Sequence, residues 1–82
     1  IFISYFCKIM NDNINKMFGA RIVALRKKAG ITQEELSFRC GIHRAYMGTI
    51  ERGEKSVTLD TVVKIANGLN IEIKELFDFQ HI

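Results

Sequence analysis

The chain has 82 residues, 48% hydrophobic and 26% charged, a composition that indicates one globular domain and excludes disorder throughout. A chain this short buries only about 60% of its unfolded surface, so we expect dimerisation to add to its core. Its net charge of +3 is a weak indication of a nucleic-acid partner. The sequence has no apolar run of about 20 residues, which argues against a transmembrane helix and a membrane partner.

The first residues differ from the rest of the chain. Residues 1–9 are mostly apolar or aromatic without a helical stripe, and they lack the flanking residues of a signal peptide. We treat residues 1–12 as an apolar N-terminal extension, and both a native and a non-native origin stay open. We expect this extension to pack against something, with a second subunit as one candidate.

Beyond residue 12, glycines at 30, 41, 53 and 68 divide the chain into segments of about one helix each. In the first segment, apolar residues recur every three or four positions, which predicts an amphipathic helix that ends at Gly30. These residues are Ile14, Phe18, Ile22, Leu25 and Ala29.

A helix-turn-helix follows. Thr32 is a predicted N-cap, with Glu35 placed to complete a capping box, for a short helix over residues 33–40. After Gly41 and a tight turn, a second short helix runs to about residue 52, and His43 is a poor residue to cap it.

Two further helices complete the predicted domain. Thr58 caps a fourth helix whose apolar residues include Leu59, and Glu72 weakly caps a short fifth one. No segment alternates like a strand. We therefore predict an all-α domain of five helices over residues 13–79, with residues 80–82 as a C-terminal tail.

Residues 18–69 resemble the Cro/CI-type, or XRE-type, helix-turn-helix family of transcriptional regulators. The resemblance depends on the motifs LR at 25–26, TQEEL at 32–36, IERG at 50–53 and TL at 58–59, with glycines at 30 and 41. The residues just before IERG are also similar to controller proteins of restriction-modification systems. The family implies a lambda-repressor-like five-helix fold that binds DNA.

The N-terminal end of the second helix of such a pair approaches base edges in the major groove. The predicted base readers are therefore Arg44, Ala45, Thr49 and His43. The predicted phosphate contacts are Gln33, Tyr46, Arg52, Lys55, Ser56 and Arg21, and the family implies the role of Gln33. The resemblance also implies a structural ion pair between Arg26 and Glu51.

Several of these residues have a second interpretation. Tyr46 could stabilise the domain or a dimer instead of contacting DNA, and His43 could read a base, contact a phosphate or merely be exposed. Apolar residues near the C-terminus belong either to the core alone or to a two-fold dimer interface. The interface candidates are Ile71, Leu76, Phe77 and Phe79.

We expect no metal, no cofactor and no catalytic residue. Cys7, Cys40, His43 and His81 could supply four zinc ligands, but zinc sites normally bring paired ligands from both sides, and two of these lie near opposite termini. There is no phosphate loop, nucleophile motif or acid/base pair. The only two cysteines lie far apart in the sequence and form no CxxC pair, which argues against a disulfide scaffold and favours a reducing, cytoplasmic setting.

The charge is concentrated where the helix-turn-helix lies. Residues 21–55 hold eight Lys or Arg and four Glu, whereas the rest of the chain holds four Lys and five acidic residues. We therefore predict a sequence-specific regulator, a controller protein or repressor, that binds double-stranded DNA as a homodimer on a pseudo-palindromic operator. It would block or recruit RNA polymerase without a small-molecule ligand. The alternatives are an antitoxin or phage-type repressor, or a protein-interaction module that does not bind DNA.

Overall fold

The computed structural model describes the backbone of residues 2–79 and the side chains of residues 14–79. Within this part, the chain forms four α-helices and one 3-10 helix and contains no strand, which confirms the all-α class. The α-helices are α1 (Phe2–Ala29), α2 (Gln33–Cys40), α3 (Arg44–Glu51) and α4 (Leu59–Leu69), and the 3-10 helix is Ile73–Phe77.

The last element corrects the prediction of five α-helices. Glu75 N donates to Glu72 O at 3.0 Å and Asp78 N to Glu75 O at 3.4 Å, which is the i to i+3 pattern of a 3-10 helix. This element has five residues, too few for a stable α-helix of its own, and it adopts the tighter 3-10 conformation.

The backbone of the predicted N-terminal extension is helical. Helix α1 begins at Phe2, so residues 2–12 continue the helix that the periodicity predicted from about residue 13 onward. The side chains of residues 1–13, including Cys7, lie outside the described residues, as does the packing expected for this extension. The tail 80–82, with His81, also lies outside them.

The predicted glycine and cap residues explain where the central helices begin and end. Gly41 ends α2 in the left-handed conformation with φ of 69°. Thr32 Oγ1 accepts a hydrogen bond from Glu35 N at 3.0 Å, and Thr58 Oγ1 accepts one from Thr61 N at 3.2 Å.

Two local predictions differ from the structure. The carboxylate of Glu35 forms an ion pair with Arg39 instead of reaching back over the helix start. His43, expected to be a poor cap, accepts a hydrogen bond from Ala45 N through Nδ1 at 3.2 Å, because a ring nitrogen with a free lone pair can replace the usual side-chain oxygen.

Every described helix contributes to one core. The largest fully buried side chains come from α1, α2, α3, α4 and the 3-10 helix: Ile22, Leu36, Met47, Ile50, Ile65 and Leu76. Leu76 has no exposed surface, so its predicted place in a dimer interface is wrong. The short C-terminal helix instead seals the core of its own chain.

Two glycines allow helices to approach closely. A Cβ on Gly19 of α1 would lie 2.5 Å from Ile50 O, so only glycine permits α1 to rest on the end of α3. A Cβ on Gly68 of α4 would overlap the Cys40 sulfur. The Cys40 thiol is thus enclosed between α2 and α4, and burial raises its pKa to about 11.

Candidate nucleic-acid interface

The starts of α2 and α3 meet at a shallow surface depression of about 390 Å³. Residues of α2 and α3, with the two residues that flank α3, line it: Gln33, His43, Arg44, Ala45, Gly48 and Arg52. The fold therefore brings together three predicted base readers and two predicted phosphate contacts, although they are up to 19 positions apart in the sequence.

The exposed N-terminal end of α3 carries His43, Arg44 and Ala45, which we call the recognition end. None of the ion pairs among the side chains of residues 14–79 involves Arg44, so its guanidinium is available to a ligand. Thr49, the fourth predicted reader, lies one turn further on and is half-buried. Its hydroxyl donates to Ala45 O at 3.1 Å.

Behind the depression, three polar side chains from three helices meet at what we call the α1–α3 junction. Arg26 Nε donates to Glu51 Oε2 at 2.9 Å and Arg26 Nη2 to Glu51 Oε1 at 3.2 Å. Gln33 Nε2 donates to Glu51 Oε1 at 3.0 Å. The structure therefore contains the ion pair that the resemblance implied, and adds Gln33, which the sequence pattern did not place there.

Arg52 lies at the edge of the depression, where its charge is already paired. Its Nε donates to Glu54 Oε2 at 2.8 Å and its Nη2 to Glu54 Oε1 at 3.3 Å. The hydrogen bond from Arg52 lowers the pKa of the Glu54 carboxyl, and the same contact raises the pKa of Arg52. Both side chains are more than half exposed, so a phosphate can compete for this guanidinium.

The other predicted phosphate contacts are in different surroundings. Lys55 and Ser56 are exposed, and Ser56 Oγ accepts a hydrogen bond from Asn15 Nδ2 at 3.2 Å. Tyr46 is half-buried and packs against the core, as its structural interpretation required. The depression includes none of these three residues.

Arg21 is the phosphate prediction that the structure corrects. Arg21 is only 8% exposed, and its Nε donates to Glu75 O at 2.8 Å. The guanidinium therefore joins α1 to the 3-10 helix, and it would have to break this hydrogen bond to reach a phosphate. The sequence could not show that the last helix covers this part of α1, so Arg21 was predicted to be available to a phosphate.

Comparison with known proteins decides the family. A family model described as helix-turn-helix matches residues 22–76, about two thirds of the chain. The chain belongs to the Cro/CI-type helix-turn-helix family. This family consists of transcriptional regulators rather than enzymes.

The members most like this Cro/CI-type protein include control proteins of restriction-modification systems. It is 41% identical to control protein C.BamHI of Bacillus amyloliquefaciens, over 85% of this chain and 88% of that one. It is 39% identical to control protein C.MunI of a Mycoplasma species, over 83% and 92% of the two chains. The crystal structure of the controller protein C.AhdI from Aeromonas hydrophila superposes with a TM-score of 0.74 at 44% identity, over 76% of this chain and 94% of that one.

Apolar side chains are exposed on a different part of this Cro/CI-type domain. Phe77 is 43% exposed although its ring stacks on Phe18 with centroids 5.2 Å apart, and Phe79 lies edge-on to Phe77. Of the other predicted interface residues, Ile71 is half-buried. Ile73, which is 46% exposed, was not among the predicted interface residues, and Leu59, predicted only as an apolar residue of the fourth helix, is 82% exposed. The exposure of both residues depends on how α4 and the 3-10 helix are rotated against the rest of the domain, which the sequence pattern does not record.

Neither a cluster of metal ligands nor a membrane-spanning helix is found among the described residues. Among residues 14–79, no three His, Cys, Asp or Glu side chains converge as metal ligands would. Cys40 is in the core and His43 caps α3, so these two members of the zinc alternative have separate roles. None of the described helices combines the length and the apolar character needed to cross a bilayer.

Proposed function

We propose that this protein is a controller-type transcriptional regulator that binds double-stranded DNA sequence-specifically, as a homodimer on a pseudo-palindromic operator. One observation carries the proposal: the depression joins the exposed recognition end of α3 to Gln33 and Arg52, which flank it. Similarity to control proteins of restriction-modification systems supports the controller role.

The chemistry of the depression suits the major groove of B-DNA. A helix fits this groove with its N-terminal residues against base edges. The planar fork of Arg44 matches the two acceptors of guanine, and the methyl group of Ala45 suits the methyl group of thymine. Gln33 begins α2 and Arg52 directly follows α3, and we expect both to contact the phosphate backbone.

A homodimer is the second part of the proposal. The partly exposed side chains of Ile71, Ile73, Phe77 and Phe79 supply an apolar surface near the C-terminus. Two-fold pairing through this surface would set two recognition ends about 34–36 Å apart, one turn of DNA. Occupancy of such a site would then block or recruit RNA polymerase, in the cytoplasm.

Selection of bound duplexes from a random pool tests the whole proposal. We expect the selected sequences to share two inverted half-sites, with centres about 10 base pairs apart or a multiple of one turn. A single half-site without symmetry would contradict the homodimer, and recovery of no consensus would contradict sequence-specific binding.

Substitution of Arg44 tests the assignment of the recognition end. Arg44→Ala should remove about 1–3 kcal/mol of discrimination at one base position while non-specific binding persists. Lys64→Ala is the matched control, because Lys64 is an exposed cation on α4 that does not line the depression. Equal loss of discrimination in the two variants would refute the role of Arg44.

A further inference from the structure

The carboxylate of Glu51 is a buried acceptor shared by two elements of the fold. Its side chain is 5% exposed and accepts three hydrogen bonds, two from Arg26 on α1 and one from Gln33 on α2. Arg26 balances the charge, and its Nη1 also donates to Ile31 O at 3.1 Å, which fixes the guanidinium. The carboxylate is therefore held in place without help from Gln33.

The hydrogen bond to Glu51 determines which way the Gln33 amide points. An ionised carboxylate has only acceptors, so the amide nitrogen of Gln33, and not its oxygen, must face Glu51. One N–H of Gln33 is used in this contact. The other N–H and the carbonyl oxygen stay free to meet a ligand at the depression that Gln33 lines.

Gly48 of α3 lies beside this amide. A Cβ on Gly48 would lie 3.6 Å from Gln33 Oε1 and 3.8 Å from Nε2, which are ordinary contact distances, so the amide lies next to α3. The hydrogen bond to Glu51 is the contact that fixes its orientation there.

We infer that Glu51 is a positioning residue for DNA binding, and that it acts by holding the Gln33 amide in the orientation that contacts the phosphate backbone. A free glutamine side chain samples many rotamers, and ordering it on binding would weaken the complex. Glu51 orders it beforehand. The inference rests on the proposed function, because it assigns Glu51 a role in the same DNA-binding site.

Side-chain relaxation by NMR tests the first step on the free protein. We expect the Gln33 side-chain amide to be as rigid as the backbone in the wild-type chain and mobile in Glu51→Asp, where the carboxylate is one methylene shorter. Glu35→Asp is the matched control, since Glu35 also pairs with an arginine but does not touch Gln33. A mobile Gln33 amide in the wild-type chain would overturn the inference.

A double-mutant cycle tests the second step, with a duplex recovered from the random-pool selection as the probe. Gln33→Ala and Glu51→Asp should each weaken binding by about fivefold, the equivalent of one neutral hydrogen bond. Because Glu51 acts through Gln33, the double variant should lose no more than either single variant. Circular dichroism checks that each variant is folded, and Glu51→Ala, which removes the acceptor, replaces Glu51→Asp if the latter is not.

The outcomes separate this inference from the proposed function. If the losses from Gln33→Ala and Glu51→Asp multiply, Glu51 acts on stability or on DNA by another route and the inference is wrong, while DNA binding stands. If the wild-type chain binds no duplex at any salt concentration, the proposed function itself fails and the inference fails with it. Should both Glu51 variants unfold, the relaxation of the wild-type Gln33 amide decides.

Discussion

The α1–α3 junction and the recognition end use polar side chains in opposite ways. At the junction, the Arg26 and Glu51 side chains are 14% and 5% exposed and are paired with each other. At the recognition end, His43, Arg44 and Ala45 are all exposed, and Arg44 is in none of the described ion pairs. The buried polar groups of the junction satisfy one another, and removing one of them would leave a buried charge unpaired. The exposed polar groups of the recognition end remain available for a ligand. Gln33 links the two regions.

The largest expected effect comes from breaking the junction. Arg26→Ala leaves the Glu51 carboxylate buried without its cation, which typically costs about 3–5 kcal/mol. We therefore expect the free energy of unfolding in urea to fall by about this amount. Arg39→Ala is the control, because the Arg39–Glu35 pair is exposed and should contribute less than about 1 kcal/mol. Similar losses in both variants would show that burial does not distinguish the two pairs.

The second prediction uses another buried group, the Cys40 thiol. Its folded pKa of about 11 lies above the unfolded value near 9. A raised acid pKa means that the folded state holds the proton more tightly, so this stability is complete below about pH 9 and is lost between about pH 9 and 11. We expect a decrease of roughly 2 kcal/mol in the free energy of unfolding by about pH 10.5.

Cys40→Ala isolates this contribution from lysine and tyrosine side chains that titrate over the same range. The variant should be less stable at neutral pH but should lose less stability on going to alkaline pH than the wild-type chain does. Parallel losses in the two proteins would mean that burial of the thiol does not set the alkaline limit.

The smallest effect on stability is expected at the exposed edge of the depression. Arg52→Ala breaks a solvent-exposed pair with Glu54 and should change the free energy of unfolding by less than about 1 kcal/mol. If Arg52 contacts a phosphate, the slope of log affinity against log salt should become shallower by about 0.9.

Gln33→Ala is the natural comparison in that salt titration. A neutral amide displaces no counterion, so its removal should weaken binding without changing the slope. An unchanged slope in Arg52→Ala would remove Arg52 from the phosphate contacts, and a changed slope in Gln33→Ala would mean that its loss rearranges neighbouring cations.

Local signals in the sequence predicted much of the fold. Gly41 and the caps Thr32 and Thr58 correctly predicted boundaries of α2 and α4, because these signals act within a few residues. The recognition end followed from the same boundaries, since the first residues of α3 are determined once its start is known.

The rest depended on contacts between helices, which periodicity does not record. Arg21 and Leu76 were misassigned because the position of the 3-10 helix against α1 decides whether each is exposed. The Gln33–Glu51 hydrogen bond joins residues 18 positions apart on different helices. The contact of Cys40 with Gly68 likewise depends on the packing of α2 against α4.

The cap at the start of α3 has a consequence for how His43 meets a base. Because Nδ1 accepts from Ala45 N, the ring proton of the neutral imidazole must reside on Nε2, which selects one of the two tautomers. In the proposed complex with DNA, His43 would therefore face the groove as a donor. It can recognise N7 of a purine, O6 of guanine or O4 of thymine, and it is mismatched to the amino groups of adenine and cytosine.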